Sequence, residues 1–281
     1  LYDDKQAYAS LALQELLFED KDQQVPGIGI KEDLENITAR SLYDYYHTMI
    51  QEDEVDIYVM GSVDEDKITE YFKEFPFKKR NSSKETPFYK GISATKFHQK
   101  TEKQEITQAK FNLGYAAPIY YHKENYYAGQ VFNGLFGGFP HSKLFMNVRE
   151  KESLAYYASS SLDTFRGMMV VQTGIDSKEV DKVRDIIAEQ LDEMQKGNFS
   201  DVAFLQTKSM LKNQLIQSED NPGGVIERIY SGQLVSENEI TLEEWLKGIE
   251  ETTREEVIAV AKQIELKGIF FLSGGKNNGE N

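Results

Sequence analysis

Residues 135–166 decide the fold, and they read LFGGFPHSKLFMNVREKESLAYYASSSLDTFR. Gly137 and Gly138 predict the end of one helix, because glycine is common where a helix stops. Ser142 offers a side-chain oxygen that can cap a second, short helix. From Leu154 onwards the residue types alternate, which predicts a strand. The stretch therefore predicts a helix end, a new helix and a strand in immediate succession.

Two polar residues flank the corner between the second helix and the strand. Arg149 lies one helical turn after Phe145, at the edge of the apolar stripe. Tyr156 shares a strand face with Leu154 and Ala158, and the alternation predicts that this face is apolar and buried. By residue type alone, an arginine in a last helical turn complements the helix dipole, and a tyrosine on an apolar strand face packs in a core.

The corner resembles the second-domain signature of the pitrilysin and mitochondrial processing peptidase family of zinc metallopeptidases, the inverzincins. That signature reads roughly S-[RK]-L-F-x-x-[VI]-R-E-K-x-x-L-A-Y. The matching residues are Ser142-Lys143-Leu144-Phe145, Val148-Arg149-Glu150-Lys151 and Leu154-Ala155-Tyr156. The resemblance implies that Arg149 and Tyr156 belong to a domain without metal ligands. They would reach across a closed chamber to a substrate held at a zinc site on the partner domain.

Composition limits the possible functions. The formal net charge is −15 and the isoelectric point is about 4.8, which argues against a nucleic-acid surface and favours a basic peptide as partner. Cysteine is absent, which excludes disulfides and thiolate zinc ligands and fits a cytoplasmic location. No apolar run approaches membrane-spanning length, so no membrane partner is expected.

The pattern of elements predicts an α+β protein with tandem similar domains, each an antiparallel-rich sheet with helices packed on one face. Residues 1–77 are predicted to be the C-terminal part of a first peptidase-like domain, 78–90 a linker, and 91–281 a complete second domain. Four further expectations concern single elements. They are a helix over 5–18, a helix over 39–50 with Leu42, Tyr45, Tyr46 and Met49 inward, a strand over 55–60, and a hairpin of strands over 95–100 and 105–116.

Sequence pairs at nearly constant separation predict an internal duplication. Asp3 corresponds to Asp220 and Thr38 to Thr253, so residues 3–61 should superpose on 220–274. The counterpart of the start of the second copy would precede Leu1, which predicts that the first domain is truncated at its N-terminal side. Helices such as 5–18 should then expose apolar surface unless a partner covers it.

The zinc motif H-x-x-E-H of the resembled family lies on a first-domain helix equivalent to the helix predicted over 124–136. The four histidines of this chain show no such pair, and they are expected in loops or at the surface: His47, His98, His122 and His141. His141 adjoins the corner. No cofactor is therefore expected in this chain, and zinc is expected only in the missing segment or on a partner.

The resemblance implies zinc-activated water attacking a peptide carbonyl, with Tyr156 and Arg149 steadying the oxygen as charge develops. This hydrolase chemistry would need a related zinc-bearing domain or subunit, as in a heterodimer, and the chain alone should be inactive. A second hypothesis is a noncatalytic family member that acts as a structural or interaction subunit. A third, an unrelated interaction module, would leave the corner without a purpose.

Overall fold

The computed structural model describes residues 3–75, 91–92, 96–235 and 240–274. The chain divides into two compact units that do not follow the chain in order. Unit 1 comprises Leu1–Gln24, Pro87–Gln217 and Ile240–Asn281, and unit 2 comprises Val25–Thr86 and Ser218–Glu239. The predicted linker, 78–90, lies outside the described residues. The domain boundaries given by the sequence remain a prediction.

Unit 1 is built on a sheet of five strands: β1 (His98–Gln104), β2 (Ala109–Ala116), β3 (Ala155–Asp163), β4 (Met168–Ile175) and β5 (Glu265–Gly274). Their order is β1-β5-β2-β4-β3. The β1–β5 pair is parallel, and the other three neighbouring pairs are antiparallel. The prediction of an α+β protein with an antiparallel-rich sheet is confirmed.

The predicted hairpin of β1 and β2 is wrong, because β5 lies between them. Residues 268–270 of β5 are buried in succession, so both faces of this strand are covered. A strand buried on both faces suits the interior of a sheet. The first strand, HQKTEKQ, is polar and mostly exposed, which suits an edge.

Ten helices occur in the described residues, and their bounds are α1 (Lys5–Leu17), α2 (Lys21–Gln24), α3 (Ala39–Glu52), α4 (Glu65–Lys73), α5 (Tyr126–Asn133), α6 (Val180–Gln195), α7 (Asp201–Ser218), α8 (Pro222–Val235), α9 (Leu242–Glu251) and α10 (Arg254–Ala261). Short 3₁₀ turns span Lys31–Asn36 and Ser177–Glu179, and π-helical turns span Gly134–Gly138 and Phe145–Lys151. The spacing of Thr241 to Glu244 and of Thr253 to Glu256 predicts a capping box at the start of α9 and of α10, and both are present. None of these helices carries an apolar stretch long enough to cross a bilayer.

The main core of unit 1 lies between the sheet and helices that include α5, α6 and α10. From the sheet, Phe111 and Leu113 of β2 point into it. The sequence predicts a helix over 177–196 with an apolar stripe of Val180, Val183, Ile187, Leu191 and Met194. This prediction is confirmed for α6, in which Val183, Ile187 and Met194 are fully buried. Apolar residues repeated at helical spacing place one face of this helix in the core.

Helix α1 packs on the opposite face of the same sheet. Leu13 and Leu17 are buried against the side chains of Phe270 and Leu272 in β5. A Cβ at Gly114 of β2 would lie 2.4 Å from Leu17, so glycine permits this close approach. The expectation that this helix exposes apolar surface is therefore wrong, since the sheet of unit 1 covers it.

Unit 2 exposes apolar side chains that the sequence predicted to face inward. On α3 these are Leu42, Tyr45, Tyr46 and Met49, with Leu42 58% exposed. The strand predicted over 55–60 pairs with no strand in the described part of the chain, and its apolar residues are half-exposed. An amphipathic helix or an alternating strand is buried only where another layer lies opposite it. No such layer covers these residues within the described part of unit 2.

Candidate functional site

The first arm of the corner is a short helix with a π-helical turn. Leu144 and Val148 are fully buried, and they fix this helix against the core. Before it, Ser142 is buried, and its Oγ accepts a hydrogen bond from Phe145 N at 3.4 Å, as the capping prediction requires. Single π-helical turns occur often at functional sites, so this turn marks the corner for attention.

The corner itself turns at Ser153, whose φ of +52° is left-handed. Ser153 N donates to Arg149 O at 3.1 Å, and Leu154 N donates to Val148 O at 3.1 Å. These bonds satisfy carbonyls at the end of the helix, as a left-handed residue commonly does at a helix C-terminus. The backbone that joins Arg149 to the strand is therefore well defined.

Arg149 leaves the helix with its side chain 44% exposed. Its Cζ lies 4.6 Å from the centroid of the Phe145 ring, a cation–π contact one turn back on the helix. Its Nε lies 3.8 Å from Oε1 of Glu150, a loose surface ion pair of small energetic value. The guanidinium is thus held from one side by Phe145, and the side chain is partly exposed to solvent.

Tyr156 sits at a β-bulge at the start of β3. Ala155 is opposite Ile175 and Tyr157 is opposite Gly174, so Tyr156 is an extra residue in the ladder. Its side chain is 71% exposed. The prediction that it shares a buried face with Ala158 is wrong, because one inserted residue reverses the alternation. Ala155 and Ala158 are the buried pair instead.

Arg149 and Tyr156 therefore lie on the two arms of one corner, each with polar atoms open to solvent. A guanidinium offers several N–H donors and a tyrosine offers one O–H donor. Donors of either kind can stabilise an oxygen that gains negative charge. The accessible hydroxyl agrees with the role implied by the resemblance, and the sequence alternation alone pointed the other way.

A groove of about 500 Å³ lies at the far end of β3, between that strand, β4 and α1. Leu13, Leu17 and Val170 form part of its apolar lining. Gln172 Nε2 donates to Ser10 Oγ at 2.7 Å on the polar side of the groove. Strand β3 is an edge of the sheet, so its outer backbone groups have no ladder partner in the described residues. This edge can accept an extended chain.

Residues 36–211 match the family model described as "Peptidase M16 inactive domain". The chain belongs to this M16 family. The predicted recognition of the pitrilysin and mitochondrial processing peptidase type is confirmed, since similar chains are named inactive or zinc proteases.

Relatives of this M16 chain include "Probable inactive metalloprotease YmfF" of Bacillus subtilis, at 38% identity over 98% of this chain and 64% of the relative. Among solved structures, a conserved protein from Enterococcus faecalis is 48% identical with a TM-score of 0.92, over 98% of this chain and 65% of that chain. A peptidase M16 inactive domain from Pseudomonas fluorescens shares the fold, with a TM-score of 0.75 and 17% identity. The match covers 100% of this chain and 68% of that chain. The M16 chain spans less than two thirds of the length of the first relatives, 64% of the Bacillus subtilis protein and 65% of the Enterococcus faecalis chain.

The histidines of the M16 chain lie apart. His47 is exposed on α3, and His98 is in edge strand β1. His141 bonds through Nε2 to Thr207 Oγ1 at 2.8 Å and stacks on Phe139. Across residues 3–75, 91–92, 96–235 and 240–274, no group of three or more metal-ligating side chains comes together. The described residues do not fit a zinc site.

His122 lies in a turn, as expected of a loop histidine, but it is half-buried. Its ring centroid is 4.7 Å from that of Trp245, within a cluster that includes Tyr121 and Tyr126. Burial lowers the pKa of His122 to about 4, and Glu244 partly offsets this. Both His122 Nε2 and Trp245 Nε1 are buried without a hydrogen-bond partner in the described part of the chain. The aromatic residues on both sides of His122 were the sequence signal for its burial.

Proposed function

We propose that this M16 chain supplies Arg149 and Tyr156 as a pair that stabilises the transition state of peptide-bond hydrolysis. The metal site of the working enzyme would lie elsewhere, on another segment of the full protein or on a partner subunit in a heterodimer. The observation that carries the proposal is the β-bulge that turns the hydroxyl of Tyr156 to solvent at the same corner as Arg149.

The chemistry of the two side chains supports this role. When a peptide carbonyl carbon becomes tetrahedral, its oxygen gains negative charge, and hydrogen bonds to that oxygen strengthen. The guanidinium of Arg149 offers several N–H donors to that oxygen. Tyr156 adds a neutral donor, and a weak surface ion pair with Glu150 leaves Arg149 free to engage the oxygen.

The chamber wall is the second part of the proposal. Strand β3 begins at the corner and runs to the groove beside α1, and its outer edge has no described partner. A peptide strand added along this edge would gain backbone hydrogen bonds and could place side chains in the groove. The acidic net charge of the protein favours a basic peptide.

The organisation of the full protein completes the proposal. Residues 1–77 would be the back part of a first peptidase-like domain, joined by 78–90 to a second domain over 91–281. Two observations support a further layer that comes from outside the described residues. The apolar face of α3 is exposed, and residues 55–60 pair with no described strand. The absence of cysteine supports a cytoplasmic location.

A noncatalytic role is the second candidate, favoured by the name of the Bacillus subtilis relative, "Probable inactive metalloprotease YmfF". In that case the chain would act as a structural or interaction subunit. Arg149 and Tyr156 would then contribute to peptide binding at most.

The test uses the protein purified with a zinc-bearing M16 subunit from the same cell, and it measures hydrolysis of fluorogenic peptides. Tyr156→Phe and Arg149→Met should each lower kcat by about 10²–10³-fold. Tyr71→Phe and Arg184→Met are matched controls, because Tyr71 is exposed and Arg184 is 45% exposed beside Asp181. Turnover that is equal in all four variants would leave the noncatalytic role standing.

A further inference from the structure

The bulge at Tyr156 depends on a slot in β4 that holds one tyrosine side chain. Tyr156 and Tyr157 are adjacent in β3, and Tyr157 occupies the position opposite Gly174. A regular register after Ala155 would instead place Tyr156 opposite Gly174, on the α1 face of the sheet. The residue that enters this slot therefore decides which of the two tyrosines is left outside it.

The contact between Tyr157 and Gly174 leaves no room for another side chain. A Cβ built on Gly174 would lie 2.4 Å from Cε1 of Tyr157 and 2.8 Å from Oε1 of Gln108. Gln108 is flexible and could move, whereas a Tyr157 ring in this slot has little freedom. Only glycine at this position of β4 lets the ring lie directly against the neighbouring strand.

The ring of Tyr157 is confined from several directions. Nζ of Lys110 lies over it, 5.1 Å from the ring centroid. Its hydroxyl is buried without a hydrogen-bond partner in the described ranges. Burial raises the pKa of that hydroxyl to about 12, and Asp4 at the start of α1 adds to the effect. The ring is therefore held by packing instead of by its polar group.

We infer that Gly174 is a positioning residue for Tyr156. Its missing side chain opens the slot that Tyr157 fills, and Tyr157 in that slot makes Tyr156 the extra residue of the bulge. The effect on turnover rests on the proposed function of Tyr156, whereas the effect on its orientation does not. The two can be measured separately.

Orientation is measured by fluorine NMR on protein labelled with fluorotyrosine, with a soluble paramagnetic agent that broadens exposed signals. Tyr156→Phe assigns the signal. Gly174→Ala should displace the Tyr157 ring and shift or split the Tyr156 signal. Tyr157→Ser empties the slot, so Tyr156 can enter it and its broadening should fall several-fold.

The double variant Gly174→Ala with Tyr157→Ser provides the sharpest comparison. The new methyl group fills the slot that the serine leaves empty, so Tyr156 should return to one signal with its original exposure. Gly223→Ala is the control, since a Cβ there has no contact closer than 3.4 Å. Tyr157→Ser replaces a large side chain with a small one and introduces no steric clash. It therefore tests the inference even if Gly174→Ala reduces the fraction of folded protein.

Turnover is measured in the assembly with the zinc-bearing subunit. Gly174→Ala should lower kcat by roughly ten- to a hundredfold with little change in KM, because a small misplacement of a catalytic group has an effect of this size. The double variant should recover most of the loss. Unchanged Tyr156 signals in both single variants would overturn the inference. Signals that move while Tyr156→Phe leaves turnover intact would refute the proposed function alone.

Discussion

The ring of Tyr58 packs edge-on against the ring of Tyr230, with centroids 6.1 Å apart and planes at 81°. This contact joins the extended residues 55–60 to helix α8, and Tyr58 Oη also bonds to Gln233. In unit 1, Tyr8 of α1 meets Phe270 of β5 in the same manner, at 6.2 Å and 72°.

These two contacts bear on the predicted duplication. By sequence, α1 is the counterpart of α8, and residues 55–60 are the counterpart of β5. In the structure α1 packs against β5, and α8 contacts residues 55–60 through Tyr58, so each helix meets the extended segment of the other predicted copy. The correspondence of helix with helix remains a prediction, and these contacts would be its exchanged form. The strand correspondence is incomplete, since 55–60 joins no ladder in the described residues.

The first prediction tests this exchange. Tyr230→Ala removes the ring contact with Tyr58, and amides of α8 should exchange hydrogen about two- to tenfold faster, as expected from the usual worth of an aromatic pair. Amides of α1 and β5 should keep their protection. Leu13→Ala in α1 is the reciprocal control and should affect α1 and β5 only. Faster exchange throughout the chain in either variant would contradict the division into units.

A second prediction concerns Lys208, which is only 8% exposed. Its Nζ donates to the carbonyl oxygens of Glu250 at 2.5 Å and Thr252 at 3.1 Å, so it caps the end of α9. Lys208→Met should lower the free energy of unfolding by about 2 kcal/mol, because hydrogen bonds from a charged donor are lost and buried carbonyls are left unpaired. Urea denaturation measures the change.

Lys212→Met is the control for Lys208, since Lys212 pairs with the exposed carboxylate of Glu250. Lys212→Met should lower the free energy of unfolding by no more than about 1 kcal/mol. If both variants lower the free energy of unfolding equally, the hydrogen bonds of Lys208 to the end of α9 contribute no more stability than a surface ion pair.

The third prediction is a pH dependence from His122, whose pKa is lowered to about 4 by burial. The unfolded chain takes up this proton near pH 6.5, so the contribution of His122 to stability is complete above that pH and is lost as the pH falls towards 4. The loss should be on the order of 2 kcal/mol after allowance for partial solvent access.

His122→Asn isolates this effect, because asparagine does not titrate here and tolerates the left-handed φ of +52°. The difference in unfolding free energy between wild type and His122→Asn should shrink between pH 6.5 and 4. His47→Asn, on the exposed face of α3, is the control. A difference that stays constant over that range would show that His122 is not buried in its neutral form.

The fourth prediction concerns Ser153, the left-handed residue at the corner. Ser153→Gly should raise the unfolding free energy by roughly 0.5–1 kcal/mol, because glycine adopts this conformation without steric cost. Ser153→Ala keeps the Cβ and should give no gain. Thermal unfolding measures the stability of both variants. If Ser153→Ala gains as much stability as Ser153→Gly, the backbone at Ser153 is not strained.

Local patterns predicted much of unit 1. The apolar stripe of α6, the capping boxes at Thr241 and Thr253, and the sequence of helix, corner and strand around Arg149 were all correct. Each depends on residues within a few positions of one another, where helical spacing and capping chemistry act directly. The candidate pair was found by the same route, through a dense motif with fixed spacing.

The errors have a different origin. The alternation around Tyr156 failed because one unpaired residue in β3, opposite Gly174 and Ile175, reverses every side chain that precedes it. Leu42 was predicted to face inward but is exposed. A stripe of apolar residues shows that a helix has an apolar face, but it does not identify the layer that covers this face. His122 is half-buried because Trp245, far along the chain, packs against it.

The sequence by itself determined the family, the order of helices and strands in unit 1, and Arg149 and Tyr156 as the candidate pair. Tertiary structure decided that β5 lies between β1 and β2, that α1 packs on β5 and α8 contacts Tyr58, and that Tyr156 faces solvent. The physical reason is the separation along the sequence over which each kind of interaction acts. Propensity, capping and periodicity act between near neighbours, whereas strand order, register and burial depend on partners that only the folded chain brings together.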